Sequence, residues 1–398
     1  MKKTMHVVGA GASAAKDEGR GGSLGVGQIV LVLQGGGALG AYQAGVYQAM
    51  HEAGVEPDWV IGTSIGAINA SLIAGNTPGT RLAKLRQFWT RVEHGPWIEA
   101  IARLPLLGAV MRNWSTFAGG ISGFFEPNHL AFLGPMVPLT AETAGYYSTR
   151  SLEATLDDLI DFSLVERCAP RLTVGAANVR TSEMRYFDSR DIKITAKHVL
   201  ASGALPPAFP AVRVDGELYW DGGILSNTPV ETVFDDNPRR DSIVFAVHIW
   251  NPQGSEPENI WQVMNRHKDI QYSSRAISHI TRQRQIHRLR HIIAELAERL
   301  PEQDRKSEAV REMASYGCLT RMHVVRLLAP GLEGDDHTKD IDFSHSGICA
   351  RWDAGYQDTR QALEQMPWKA EFDPLEGFIL HEFRRKPVLT TEVRATNR

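Results

Sequence analysis

Short apolar runs that end in glycine alternate, along the first half of the chain, with segments of helical composition. Residues 28–34 (QIVLVLQ) are almost continuously apolar and rich in β-branched side chains, the pattern of a strand buried on both faces of a parallel sheet. GGGALG at 35–40 turns the chain, and 41–53 (AYQAGVYQAMHEA) predicts a helix stopped by Gly54. The same unit recurs: a strand at 59–62 (WVIG), a turn at Thr63-Ser64-Ile65-Gly66, and a small-residue helix ending at Gly75 and Asn76. Further strands are expected at 171–179, 183–187 and 242–249, helices at 152–162 and 194–203, and a hairpin at 212–219 whose tight turn is Asp215-Gly216. This alternation predicts an α/β fold around a mainly parallel sheet. Beyond Pro252 the pattern turns helical, with Ile286, Leu289, Ile293, Leu296 and Leu300 spaced three and four apart, before one more strand at 323–328 and a last helix at 350–365.

Two stretches break the rhythm. Residues 94–148 carry only five charged side chains among many glycines, prolines and aromatics, including Trp97, Trp114, Phe117, Phe124, Phe125 and Phe132. Such an insertion could be a lid that lines an acyl tunnel or meets a lipid surface, or simply an extra buried layer. Residues 266–292 hold seven Lys or Arg (Arg266, Lys268, Arg275, Arg282, Arg284, Arg288, Arg290) against the single acid Asp269. These cations could attract anionic lipid head groups, although a charge run is commonly a solvated helix face.

With 398 residues the chain has room for two to three units: a flexible tail over 1–27, a catalytic domain over 28–250 and a helical accessory region over 257–398. The tail lacks the leucine-rich centre of a signal peptide. A net charge of −3 gives no global pull toward nucleic acid, and none is expected as a partner. Cys168, Cys318 and Cys349 are widely separated and form no C-x-x-C pair, which fits a reducing, cytoplasmic setting with peripheral membrane contact as an option. No apolar stretch reaches the roughly 18 residues of a spanning helix.

Three places could carry chemistry. Gly35, Gly37 and Gly40 satisfy G-x-G-x-x-G between strand and helix, as in dinucleotide sites, but no acid follows the second strand to hold a ribose; Asp58 precedes it. Successive backbone N–H groups at such a turn can instead face a developing oxyanion. Gly62-Thr63-Ser64-Ile65-Gly66 is a G-x-S-x-G at a strand-to-helix junction, where small neighbours allow the strained turn that lifts a serine hydroxyl above a sheet. A serine needs a base, and none of the 14 histidines has a signature: His51 belongs to a helix surface, His248 to a buried strand, His337 and His345 to a polar loop. Asp221, at a strand end before Gly222-Gly223, is differently placed, because the glycines permit close backbone approach to its carboxylate.

Together, LVLQGGGALGAYQAGV, VIGTSIGAINA and ASGALPPAFPAVRVDGELYWDGGILSNTPV resemble, in that order, the patatin-like phospholipases, a group of lipid acyl hydrolases. The resemblance covers about residues 28–250. It implies a three-layer α/β/α sandwich, a serine–aspartate dyad of Ser64 (nucleophile) and Asp221 (base), and an oxyanion loop of Gly35, Gly36 and Gly37. Gly40, Gly62, Gly66, Gly222 and Gly223 match motif glycines. No metal or organic cofactor is implied, and the substrate would be a lipid ester. Leu39 stands where the family often has Arg or Lys, which leaves head-group recognition open, as are oligomeric state, acyl length and positional specificity. Residues after 257 resemble the C-terminal extension of some bacterial members. The rivals are a histidine-dependent hydrolase, an esterase for a storage polyester, a non-catalytic lipid or acyl-carrier binding module, and a dinucleotide binder.

Overall fold

The computed structural model describes residues 27–94, 121, 123–134, 136–332 and 335–383 together with Leu24; at 274–277 it describes the backbone alone. Nearly all of the expected tail, and Trp97, Trp114 and Phe117 of the expected insertion, lie outside these residues.

A nine-stranded sheet organises the chain. At its centre β1 (Gln28–Leu33) runs parallel to β2 (Trp59–Thr63) on one side and to β9 (Ser242–His248) on the other. Outward from β9 come β10 (Met322–Leu328) and β11 (Phe378–Glu382), both parallel. Beyond β2 lies β5 (Arg171–Asn178), also parallel, which is joined antiparallel by β6 (Met184–Asp188) and β8 (Glu217–Asp221); β7 (Val212–Val214) closes that edge. β3 (Glu126–Pro127) and β4 (Tyr147–Ser148) form a separate small ribbon.

The uninterrupted apolar run of β1 is explained by burial on both faces. Ile29, Leu31 and Leu33 enter one core, while Val30 and Val32 enter the other. On the first face pack α1 (Ala41–Glu52), α2 (Ile65–Ala74), α3 (Pro78–Arg91), α4 (Arg150–Leu159), α5 (Ala196–Ser202) and α7 (His345–Gln365). The second face is covered by residues 230–234 and by α6 (Ile260–Arg299), which places Ile280 in the core. Helices on both sides of a mainly parallel sheet make the three-layer α/β/α sandwich, and the region beyond 257 is largely helical.

That region also contributes β10, β11 and α7 to the sandwich. α7 crosses α1 at two glycines: a Cβ on Gly45 would lie 1.9 Å from the Trp352 carbonyl oxygen, and one on Gly355 would lie 2.0 Å from that of Tyr42. Such backbone approach admits no other side chain. Among the described residues no helix is long and apolar enough to cross a membrane.

Candidate active site

The carboxyl ends of β1, β2 and β9 converge with the end of β8, and the candidate chemistry collects there, as expected for an open α/β sheet. Ser64 follows β2 directly and caps α2, with φ 56° and ψ −125°. For a residue with a side chain this conformation costs of the order of 1–3 kcal/mol and persists only where its surroundings enforce it. Two glycines admit the close approach that the turn needs: a Cβ on Gly62 would sit 2.2 Å from the Gly66 carbonyl oxygen, and one on Gly66 would sit 2.2 Å from that of Leu33. The Ser64 N–H donates to Ser202 Oγ (2.9 Å), whose own hydroxyl donates to the Gly175 carbonyl (2.6 Å). Ser202, from α5, lies at the start of the third sequence motif, which gave it no role.

Strand β5 brings Asp221 to the same point. β6 occupies one edge of β5 along 173–177, so β2 and β8 must share the other. β2 arrives parallel and ends with Thr63 opposite Gly175; β8 arrives antiparallel and ends with Asp221 opposite Ala176, the next residue. The two strands meet end to end. Asp221 is 3% exposed, lines the same cavity as Ser64, and accepts from the Gly223 N–H at 2.7 Å. Burial pushes its carboxyl up to about 6, against the opposing pull of Ser64 and of the Gly223 N–H. Gly222 packs against the backbone of Gly175 and Gly223 against the Asp221 carboxylate.

The glycine loop forms the facing wall. Gly37 has φ +56°, and a Cβ there would lie 2.1 Å from the Asp340 carbonyl oxygen; Gly40 packs directly on Ile65. The Gly35 N–H donates to the Asn227 carbonyl at 3.2 Å, so its amide is already engaged and Gly36 and Gly37 remain as the loop's candidate donors. The Gly35 carbonyl is held by Trp250 Nε1 (2.7 Å) and Asn227 Nδ2 (3.1 Å). Asn227, six residues past Asp221, was within reach of the sequence motif; Trp250 was not. Leu39 is buried, and Lys339 and Arg351 of the C-terminal region line the same small cavity beside it.

Between these walls lies a cavity of about 180 Å³ that takes in Ser64, Asp221 and Gly35–Gly37. Its apolar lining comes from α2 (Ile65, Ile68), from the expected insertion (Phe124, Phe125, Tyr147) and from Leu200, Phe209 and Phe343. No histidine is among its described lining residues. His248 is buried in β9, where desolvation, reinforced by Arg326, drops it to about 3, so it stays neutral at working pH. Among the described residues no cluster of His, Cys, Asp and Glu could hold a metal ion.

Comparison with known proteins bears on this arrangement. A family model described as patatin-like phospholipase matches residues 31–234, just over half of the 398, and a second, described as patatin phospholipase, matches 270–375. Lysophospholipase nte1 of Aspergillus oryzae is 26% identical over 247 residues, 60% of this chain and 13% of that protein. Lysophospholipase NTE1 of Saccharomyces cerevisiae is 26% identical over 250 residues, 60% and 12%. The match thus spans about an eighth of the length of these relatives. Among solved structures, VipD from Legionella pneumophila aligns at 18% identity and a TM-score of 0.35, over 85% of this chain and 67% of that one. The chain therefore belongs to the patatin-like phospholipase family.

Proposed function

We propose that the protein is a serine lipid acyl hydrolase, of phospholipase A or esterase type, that cleaves carboxylic esters with Ser64 as nucleophile and Asp221 as base. One observation carries this: a strained serine and a desolvated carboxylate line the same apolar cavity. The relatives named lysophospholipases make a lysophospholipid the first substrate to assay.

In this reading the acyl chain lies along Ile68, Phe125 and Phe209, with its carbonyl over Ser64. Ser64 Oγ attacks the carbonyl carbon as its proton passes to Asp221, whose raised pKa narrows the mismatch with a hydroxyl. The Gly36 and Gly37 amides hold the oxyanion. Protonated Asp221 then gives its proton to the departing alcohol oxygen, leaving an acyl ester on Ser64. Water, deprotonated by Asp221, releases the acid and restores the serine.

Lipid contact is proposed through exposed apolar side chains of the expected insertion. Leu130, Phe132, Leu133 and Met136 are exposed there, and the Phe132 ring lies 6.4 Å from that of Tyr147, which lines the cavity. The basic stretch 266–292 is less free: Lys268 pairs with Asp340, Arg284 with Glu376, and Arg266 is spent on the carbonyls of Asn251 and Pro252.

The test is labelling with a fluorophosphonate ester, followed by mass localisation of the adduct. An adduct on Ser64 that disappears in Ser64→Ala and fades in Asp221→Asn supports the dyad. A folded protein that stays unlabelled and hydrolyses no lysophospholipid would turn the assignment toward a binding module.

A further inference from the structure

The C-terminal region reaches the glycine loop through a buried ion pair that the proposed reaction does not itself use. Lys339 Nζ and Asp269 Oδ1 are 2.8 Å apart, each side chain about one-tenth exposed. The Lys339 ammonium also lies 5.5 Å from the centre of the Trp250 ring, within range of a cation–π contact. Tyr272 of α6 lies on that ring too, 4.9 Å away between centroids. So held, the indole points its N–H at the Gly35 carbonyl. The next residue, Asp340, presses its own carbonyl on Gly37 and is held by Lys268 at 2.7 Å. Gly35 through Gly37 are thereby gripped at both ends by residues from outside the first family match, 31–234, with Asn227 from within it as a second donor to the Gly35 carbonyl.

A buried pair of this kind is a poor source of net stability, because desolvation offsets most of its attraction, but it fixes geometry well. Turning the Gly35–Gly36 peptide moves the Gly36 N–H with it, since the carbonyl and the following amide belong to one plane. We propose that Trp250, braced by the Lys339–Asp269 pair, is a positioning residue for the oxyanion loop, and that the C-terminal region thereby completes the active site. The proposal rests on the hydrolase assignment above.

Trp250→Phe keeps a six-membered aromatic ring and removes the N–H together with the rest of the indole's five-membered ring. With a p-nitrophenyl acyl ester, kcat is expected to fall about tenfold or more while KM stays within twofold, because the loss falls on transition-state charge. A trifluoromethyl ketone, which forms a tetrahedral oxyanion adduct with a serine, should weaken by the factor lost in kcat/KM. A free fatty acid, which lacks that adduct, should keep its inhibition constant. Lys339→Met should give the same pattern, and Lys339→Arg should recover most of kcat. The proposal is overturned if either Trp250→Phe or Lys339→Met, folded by circular dichroism, keeps kcat within twofold, or if ketone and fatty acid weaken equally. A wild-type protein that neither labels at Ser64 nor turns over the ester would sink the hydrolase assignment first, and this proposal with it.

Discussion

Asp221 stands opposite Ala176 on β5, one position beyond Gly175, the partner of Thr63, and this single step of register brings Asp221 and Ser64 into the lining of one cavity. The pair owes its geometry to the strand that both of its carriers use as a ruler. Ser64→Ala is therefore expected to lower ester hydrolysis by at least about a thousandfold, and Asp221→Asn by a comparable factor, with the fold retained in both. Steady-state rates beside far-ultraviolet circular dichroism check this; an Asp221→Asn variant with near-normal turnover would remove the carboxylate from the reaction.

Activity should follow the charge of Asp221. Its carboxyl is raised to about 6 by burial, and only the ionised form can accept the serine proton. The rate, kcat/KM above all, should be level in mildly alkaline solution, reach half its maximum near pH 6 and drop about tenfold per unit below. Mutating the buried His248, already neutral over this range, should not shift the midpoint.

Stability should move the other way. The folded carboxyl, at about 6, titrates above its ordinary 3.8, so between these values the native state binds the extra proton. Folding stability therefore falls as pH rises from about 4 to 6, and the cost is fully present above that window. Two units at about 1.4 kcal/mol each place it near 3 kcal/mol, an upper bound for this one group. Asp221→Asn should raise the denaturation midpoint at pH 8 and leave it nearly unchanged at pH 4. Equal gains at both pH values would show that another interaction is responsible.

Ser202 links the Ser64 amide to the Gly175 carbonyl and is fully buried. Ser202→Ala leaves the N–H of a strained residue without its partner, a loss of about 1–3 kcal/mol. We expect turnover to drop about tenfold with KM little changed, as the serine loses its fixed attitude. Unaltered turnover in a folded variant would show that the elbow keeps its shape without this hydrogen bond.

Gly355→Ala tests the packing of α7 on α1. The added methyl would lie 2.0 Å from the Tyr42 carbonyl oxygen, so the helices must part. A loss of about 2–3 kcal/mol is expected in chemical denaturation. Gly216→Ala serves as a contrast: nothing lies within 4 Å of its Cβ, and any loss there would come from the backbone alone, since its φ is +86°.

Much of the architecture was legible in the residues because it is local. A continuous β-branched run reads as a doubly buried strand wherever it occurs, and Gly62 and Gly66 permit the elbow at Ser64 whatever surrounds it. Three-dimensional packing decided the rest. The basic stretch 266–292 reads as a row of free cations, yet Lys268 and Arg284 find their acids at Asp340 and Glu376, far along the chain. The Gly35 amide, one of three expected to face an oxyanion, is turned onto Asn227. The region beyond 257 reads as a helical accessory unit with one strand at 323–328, but that strand, β10, joins β9 and is followed outward by β11, and Tyr272, Asp340 and Phe343 line the cavity. Local pattern sets which face of an element is apolar and where the chain turns; which elements share an edge depends on contacts between residues distant in sequence, and these form only when the whole core closes.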